Sequence, residues 1–192
     1  MRFNRYNLHQ FFDYGINPDT KTLYIEDVNG GDEVNASMAN NVLKGLHLLD
    51  NIPNDKEITI IMNSIGGDVY HGLAIYDAIQ ACKCKVVIKI FGQAFSMGAI
   101  ILQAADERLL SPNARLMIHY GSVSLDDSAK NTYRWTDEAK RLDNLFDVII
   151  LDRVKDRHPR FTKAKVQGLL QFDTIMSAEE SIELGLADGF IK

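Results

Sequence analysis

The sequence predicts an α/β fold, and three observations carry that reading. Short apolar clusters alternate with stretches whose apolar residues recur at helical spacing. Two of the turns that follow apolar clusters, at 64–67 and 92–98, bear glycine, as strand-to-helix turns do. The chain has 192 residues, 46% hydrophobic and 24% charged with four prolines, enough for one core, so residues 1–192 are expected to form a single domain. Strands joined by helices of this size are most simply parallel crossovers, with chemistry expected at the C-terminal ends of the strands.

The elements follow in order. Leu23, Tyr24 and Ile25 make a first short strand, and Ala36, Ala39, Val42, Leu43, Leu46 and Leu49 then mark a helix. A second strand at 58–62 runs into the turn Asn63-Ser64-Ile65-Gly66-Gly67, which opens a helix with Leu73, Tyr76 and Ile79 on one side. The third strand, 86–91, is expected to be broken by Gly92, and a helix of small and apolar residues begins at Ser96. A fourth strand around Leu116, Met117 and Ile118 follows the turn Ser111-Pro112-Asn113. Beyond 121 a polar stretch, 122–135, precedes a long amphipathic helix marked by Leu142, Leu145, Phe146, Ile149, Ile150 and Val154, which projects or docks. Ser177-Ala178-Glu179-Glu180 is a capping box opening a last helix that Gly185 can close before a terminal strand at Gly189, Phe190 and Ile191.

Composition excludes several function classes. The 21 basic against 26 acidic residues give a net charge of −5, so neither nucleic acid nor an anionic membrane finds an electrostatic footprint. The longest apolar runs fall far short of the roughly 20 residues of a spanning helix, and the N-terminus lacks the apolar stretch of a signal peptide. The chain is therefore expected in the cytoplasm. Cys82 and Cys84 are too few and too close for a disulfide framework, and a zinc site needs more ligands, so no metal is expected.

Three residues could carry chemistry. Ser96 stands where a strand gives way to a helix, among the small residues of Ala94-Phe95-Ser96-Met97-Gly98. Such a turn exposes the hydroxyl and aims the following amide, Met97 N–H, near a carbonyl under attack, the logic of a nucleophile elbow. The first glycine of G-x-S-x-G is missing, and the same window also reads as a plain helix cap. His119 ends the strand 114–119 at the same sheet edge, where it is either a base within reach of Ser96 or a structural histidine bonded to backbone. Asp173, between Phe172 and the pair Ile175-Met176, is a candidate to hold the imidazole, or else a loop aspartate before a helix. Gly66-Gly67 has no Lys-Ser/Thr after it and is no nucleotide loop, but a glycine turn at a strand end could supply a second oxyanion N–H. The charged residues Asp137, Glu138, Lys140 and Arg141 read as a solvated helix face.

Four motifs in this order, residues 62–69, 92–99, 111–119 and 176–180, resemble the ClpP family, the proteolytic subunits of the Clp protease, and the resemblance runs from about residue 21 to the C-terminus. It implies a ClpP/crotonase-like spiral of β-β-α units with a projecting long helix, a handle-like region at about 122–160, and a divergent N-terminal segment at 1–20. It implies that Ser96 is the nucleophile, His119 the general base and Asp173 the orienting acid, with Gly67 and Met97 offering oxyanion-hole amides and no cofactor needed. It also implies a ring-shaped homo-oligomer, two stacked heptamers making a tetradecamer, that cuts short or unfolded polypeptides. With no Gly-x-x-x-x-Gly-Lys-Ser/Thr loop in the chain, folded substrates are expected to need a separate AAA+ unfoldase. The chain departs from the family at Ile65, where proline is usual, and after Tyr120, where a glycine-rich strand is replaced by SVSLDDSAKN. These departures resemble phage-encoded members, some of which act in head maturation. The rival readings are a crotonase acting on acyl-CoA, which needs no serine–histidine pair, and an idle scaffold, which would have lost its nucleophile or histidine.

Overall fold

The computed structural model describes residues 5–25, 33–53, 56–122 and 128–192. Along the chain the elements are α1 (Arg5–Tyr14), β1 (Ile16–Asn17), β2 (Thr22–Ile25), α2 (Ala36–Asp50), β3 (Ile58–Ser64), α3 (Val69–Gln80) and β4 (Val86–Phe95). Then come α4 (Met97–Leu102), β5 (Glu107–Leu110), β6 (Arg115–Ile118), α5 (Ala129–Arg157), α6 (Lys163–Leu170), β7 (Thr174–Ser177), α7 (Ala178–Leu184) and β8 (Gly189–Phe190). The α/β expectation is met: β2, β3, β4 and β5 pair in parallel, and β8 extends this run beside β5.

Alternating strand residues go inward because β-carbons of a strand point to opposite faces. In β3, Ile58, Ile60 and Met62 are fully buried, and Val86, Ile88 and Ile90 of β4 join them. Helix α2 lays Met38, Ala39, Val42, Leu46 and Leu49 into the same contiguous core, four of them on the stripe expected from spacing. The crossover helices α2 and α3 are capped at their starts. Asn35 accepts from Met38 N at 3.0 Å and Asp68 accepts from His71 N at 2.9 Å, each satisfying a helix N–H that has no intrahelical partner. The capping box at Ser177 and Glu180 forms as expected, and Gly185 closes α7 with φ +93°.

Several expectations are corrected. Gly92 does not end the third strand: β4 continues to Phe95, with Gly92 at φ +85° inside it. Opposite this kink, Met62 faces Ile90 and Ser64 faces Ala94, so β4 inserts two extra residues against β3. A β-carbon at Gly92 would lie 2.7 Å from Asn63 Oδ1, the atom that accepts from Gln93 N, so only glycine fits. The kink divides β4 between two neighbours: residues 87–90 pair with β5 and residues 93–95 with β6. β5 and β7, which the sequence did not reveal, are real strands, and β7 runs antiparallel to β6 rather than as a crossover strand. β1 is likewise antiparallel to β2. The long helix starts at Ala129, so residues 129–135 of the polar stretch form its first two turns, and 123–127 lie outside the described residues. On α5, Phe146, Ile149, Ile150 and Val154 are buried as expected, but Leu145 is exposed.

Candidate active site

Three strand ends converge on one point, and their register explains how. Beyond the last β4–β6 pair, Phe95 opposite Met117, the Ser96 N–H donates to Met117 O at 2.8 Å. Beyond the last β6–β7 pair, Ile118 opposite Thr174, the next step outward sets His119 across from Asp173. Ser96 Oγ lies 2.8 Å from His119 Nε2, and His119 Nδ1 lies 2.8 Å from Asp173 Oδ1. The order hydroxyl, imidazole, carboxylate is the one in which a proton can leave the alcohol for Nε2 while the carboxylate accepts from Nδ1–H and stabilises imidazolium. The histidine is three-quarters covered, with 23% of its side chain exposed, whereas Asp173 is 68% exposed and open to solvent.

Ser96 occupies the N-cap position of α4 but makes no side-chain capping bond, so the cap reading of its hydroxyl is not realised. It stands at φ +52° and ψ −122°, and among the described residues only it and Lys21 are non-glycine residues with positive φ. Such a backbone costs on the order of 1–3 kcal/mol and persists only where its surroundings enforce it. Gly66 is part of that enforcement. Its φ is +94°, and a β-carbon there would meet Phe95 O at 2.6 Å, Ser96 Cβ at 2.7 Å and Met97 N at 2.9 Å. The Ser64 hydroxyl accepts from Gly66 N at 3.1 Å and tightens the turn. Gly67, at φ +144°, presses its α-carbon on the backbone of Val34, and the pair Val34 N to Gly66 O and Asp68 N to Val34 O straddles it. Among the described residues neither Gly67 N–H nor Met97 N–H donates to a protein acceptor, and both residues line the same cavity as Ser96 and His119.

A second layer ties the two outer members of this chain to the helices. Tyr120 N donates to Leu170 O at 2.9 Å and Thr174 Oγ1 donates to Leu169 O at 2.6 Å, so the C-terminal end of α6 holds the neighbours of both His119 and Asp173. Tyr120 Oη donates to Asp147 Oδ1 at 2.6 Å, while Gln167 Nε2 donates to Asp147 Oδ2 at 2.9 Å with Lys163 Nζ at 3.4 Å. Asp147 is buried, and burial and this carboxylate push the Tyr120 phenol well above its ordinary range. Sequence reading passed over Tyr120, Asp147 and Asp143. The available signal was an acid spaced by four, Asp143 and Asp147, on the inward stripe of an otherwise apolar helix.

The cavity beside Ser96 measures about 290 Å³ and is walled by Val69, Met97, Ile100, Leu142 and Phe146, with Asp143 on its α5 side. Among the described residues no group of three or more His, Cys, Asp or Glu could hold a metal, and no helix is long and apolar enough to cross a membrane.

A family model described as Clp protease matches residues 19–192. The ATP-dependent Clp protease proteolytic subunit of Deinococcus radiodurans is 36% identical over 163 residues, 84% of this chain and 78% of that one. Among solved structures, a point mutant of ClpP1 from Listeria monocytogenes superposes with a TM-score of 0.80 at 27% identity, covering 96% of each chain.

Proposed function

The chain belongs to the Clp protease family and is a serine peptidase, and from that premise we propose that it is an endopeptidase whose reaction runs through Ser96, His119 and Asp173. Ser96 Oγ attacks the scissile carbonyl as His119 Nε2 takes its proton, and the oxyanion of the tetrahedral intermediate is received by Gly67 N–H and Met97 N–H. His119 then returns the proton to the leaving amine, an acyl-enzyme remains on Ser96, and a water activated by the same histidine releases it. No bound cofactor enters any step. The observation that carries the reading is the unbroken Ser96–His119–Asp173 hydrogen-bond chain, with both links at 2.8 Å, at a strained strand-to-helix turn.

The mode of action follows from the family. The Deinococcus relative is named as a proteolytic subunit that depends on ATP, and this chain has no phosphate-binding loop of its own. It acts as a homo-oligomeric ring that admits short or unfolded polypeptides unaided and takes folded proteins only from a separate ATPase unfoldase, in the cytoplasm of the cell where it is made.

The test is covalent labelling by a fluorophosphonate read by intact mass, together with turnover of short fluorogenic peptides. Ser96→Ala is expected to abolish both signals while keeping the fold, since losing the nucleophile of a working triad costs on the order of 10⁶-fold. Asp173→Asn is expected to cost less, up to about 10⁴-fold, because its carboxylate is open to water. A Ser96→Ala protein keeping a tenth of the activity overturns the assignment.

A further inference from the structure

We propose that Asp143 makes the cavity beside Ser96 a subsite for a basic side chain, so that the enzyme prefers to cut after lysine or arginine. This rests on the reading of Ser96 given above and adds to it the class of substrate. The cavity opens directly from Ser96, Met97 and Gly67, so whatever fills it belongs to the residue whose carbonyl is attacked. Apolar side chains such as Ile100, Leu142 and Phe146 share its lining with the polar Tyr120 and Ser122, and among the described residues Asp143 is its one acidic side chain, a combination that suits a side chain with an aliphatic stem and a cationic head.

Among the described residues Asp143 has no hydrogen-bond or ion-pair partner, because the neighbouring cations are engaged elsewhere. Lys140 pairs with Asp137, Arg141 with Glu138, and Lys163 with Asp147 and Asn144. Asp147 stands one helical turn on, and burial together with that like charge lifts the Asp143 carboxyl above its ordinary value. An ammonium or guanidinium brought in by a substrate relieves both effects at once. A glutamate in the same place would add a third carboxylate to the pair, and a leucine would cover the carboxylate without compensating it. A charge-assisted hydrogen bond in a partly covered site is among the stronger polar contacts, so the preference is expected to be at least tenfold.

The experiment uses the full chain and peptides that differ only at the residue before the cut, carrying lysine, arginine, leucine, methionine or glutamate, with the cleaved bond located by mass spectrometry. Lysine and arginine are expected to exceed leucine at least tenfold in kcat/KM, with glutamate lowest. In Asp143→Asn the lysine-to-leucine ratio is expected to fall at least tenfold, and in Asp143→Glu to be largely kept. Leucine or methionine preferred by the unmodified chain overturns the proposal whatever the variants do, and so does an unchanged ratio in a folded Asp143→Asn. Fluorophosphonate labelling in the same samples separates the two readings. A labelled Ser96 with a leucine preference removes this subsite alone, whereas no label and no cleavage of any peptide removes the role of Ser96 and this inference with it.

Discussion

Ser96 has its reactive geometry because its neighbours leave the backbone no relaxed alternative. Gly66 packs on Ser96 and Met97 at separations that no side chain can occupy, and it holds a φ that suits glycine. Gly66→Ala is therefore expected to destabilise the protein by about 1–3 kcal/mol through overpacking and to lower peptide turnover further than that loss of stability explains, since the Ser96 elbow must shift. Denaturant unfolding and kcat measured on one preparation check this, and a variant with full turnover would show that Gly66 does not shape the elbow. Ser96 itself was legible in the sequence as a serine among small residues, but its hydroxyl could be a cap or a nucleophile until the partner 23 positions away was seen at hydrogen-bond distance.

At the scale of elements, the strands that sequence reading missed are those whose stability comes from distant partners. β5 has only four residues and buries Arg108, an inward charge that disguises the apolar pattern. Arg108 donates to both oxygens of Asp188, 80 positions on, and to Gln103 Oε1 and Gly185 O, which fastens β8 and the end of α7 to the sheet. Burial pushes the Asp188 carboxyl up, but the hydrogen bonds and charge of Arg108 outweigh it and hold the pKa below the ordinary 3.8. Because the folded pKa is the lower one, this link stabilises fully above the unfolded value and is lost as pH falls through and below about 4. Asp188→Asn is expected to flatten the acid limb of a plot of Tm against pH, and an unaltered limb would remove Asp188 from the account. The contact of α5 with α6 gives a second case, Asp147 on α5 accepting from Gln167 on α6. Asp147→Ala leaves the Tyr120 hydroxyl and the Gln167 amide without their acceptor, and a cost of about 3 kcal/mol is expected, as for two buried polar groups left unpaired. Chemical denaturation measures it.

At the scale of the molecule, α5 carries the chain's unfinished business. Leu145 and Val148 remain exposed at 39% and 49%, beside a groove against α3 that also holds Leu73 and Tyr76. An exposed apolar strip of this kind is costly in water and is relieved by association. Light scattering is expected to give a multiple of the 21.6 kDa chain, and Val148→Asp to lower that multiple. A monomer at every concentration and salt tested would contradict the ring proposed above.

By itself the sequence determined the α/β class, the order of the long apolar elements, the capping box at Ser177 and the family, because periodicity, that box and glycine turns are local and four ordered motifs are specific. It also pointed to Ser96, His119 and Asp173. Only the tertiary structure decided that Gly92 kinks β4 without ending it, that this kink hands the strand from β5 to β6, and that β7 pairs antiparallel to bring Asp173 opposite His119. Likewise it alone put Asp143 on the wall of the cavity at Ser96. These are matters of register and of contacts between residues 20 to 80 positions apart, and no local pattern encodes a distance that the chain closes only when its core packs.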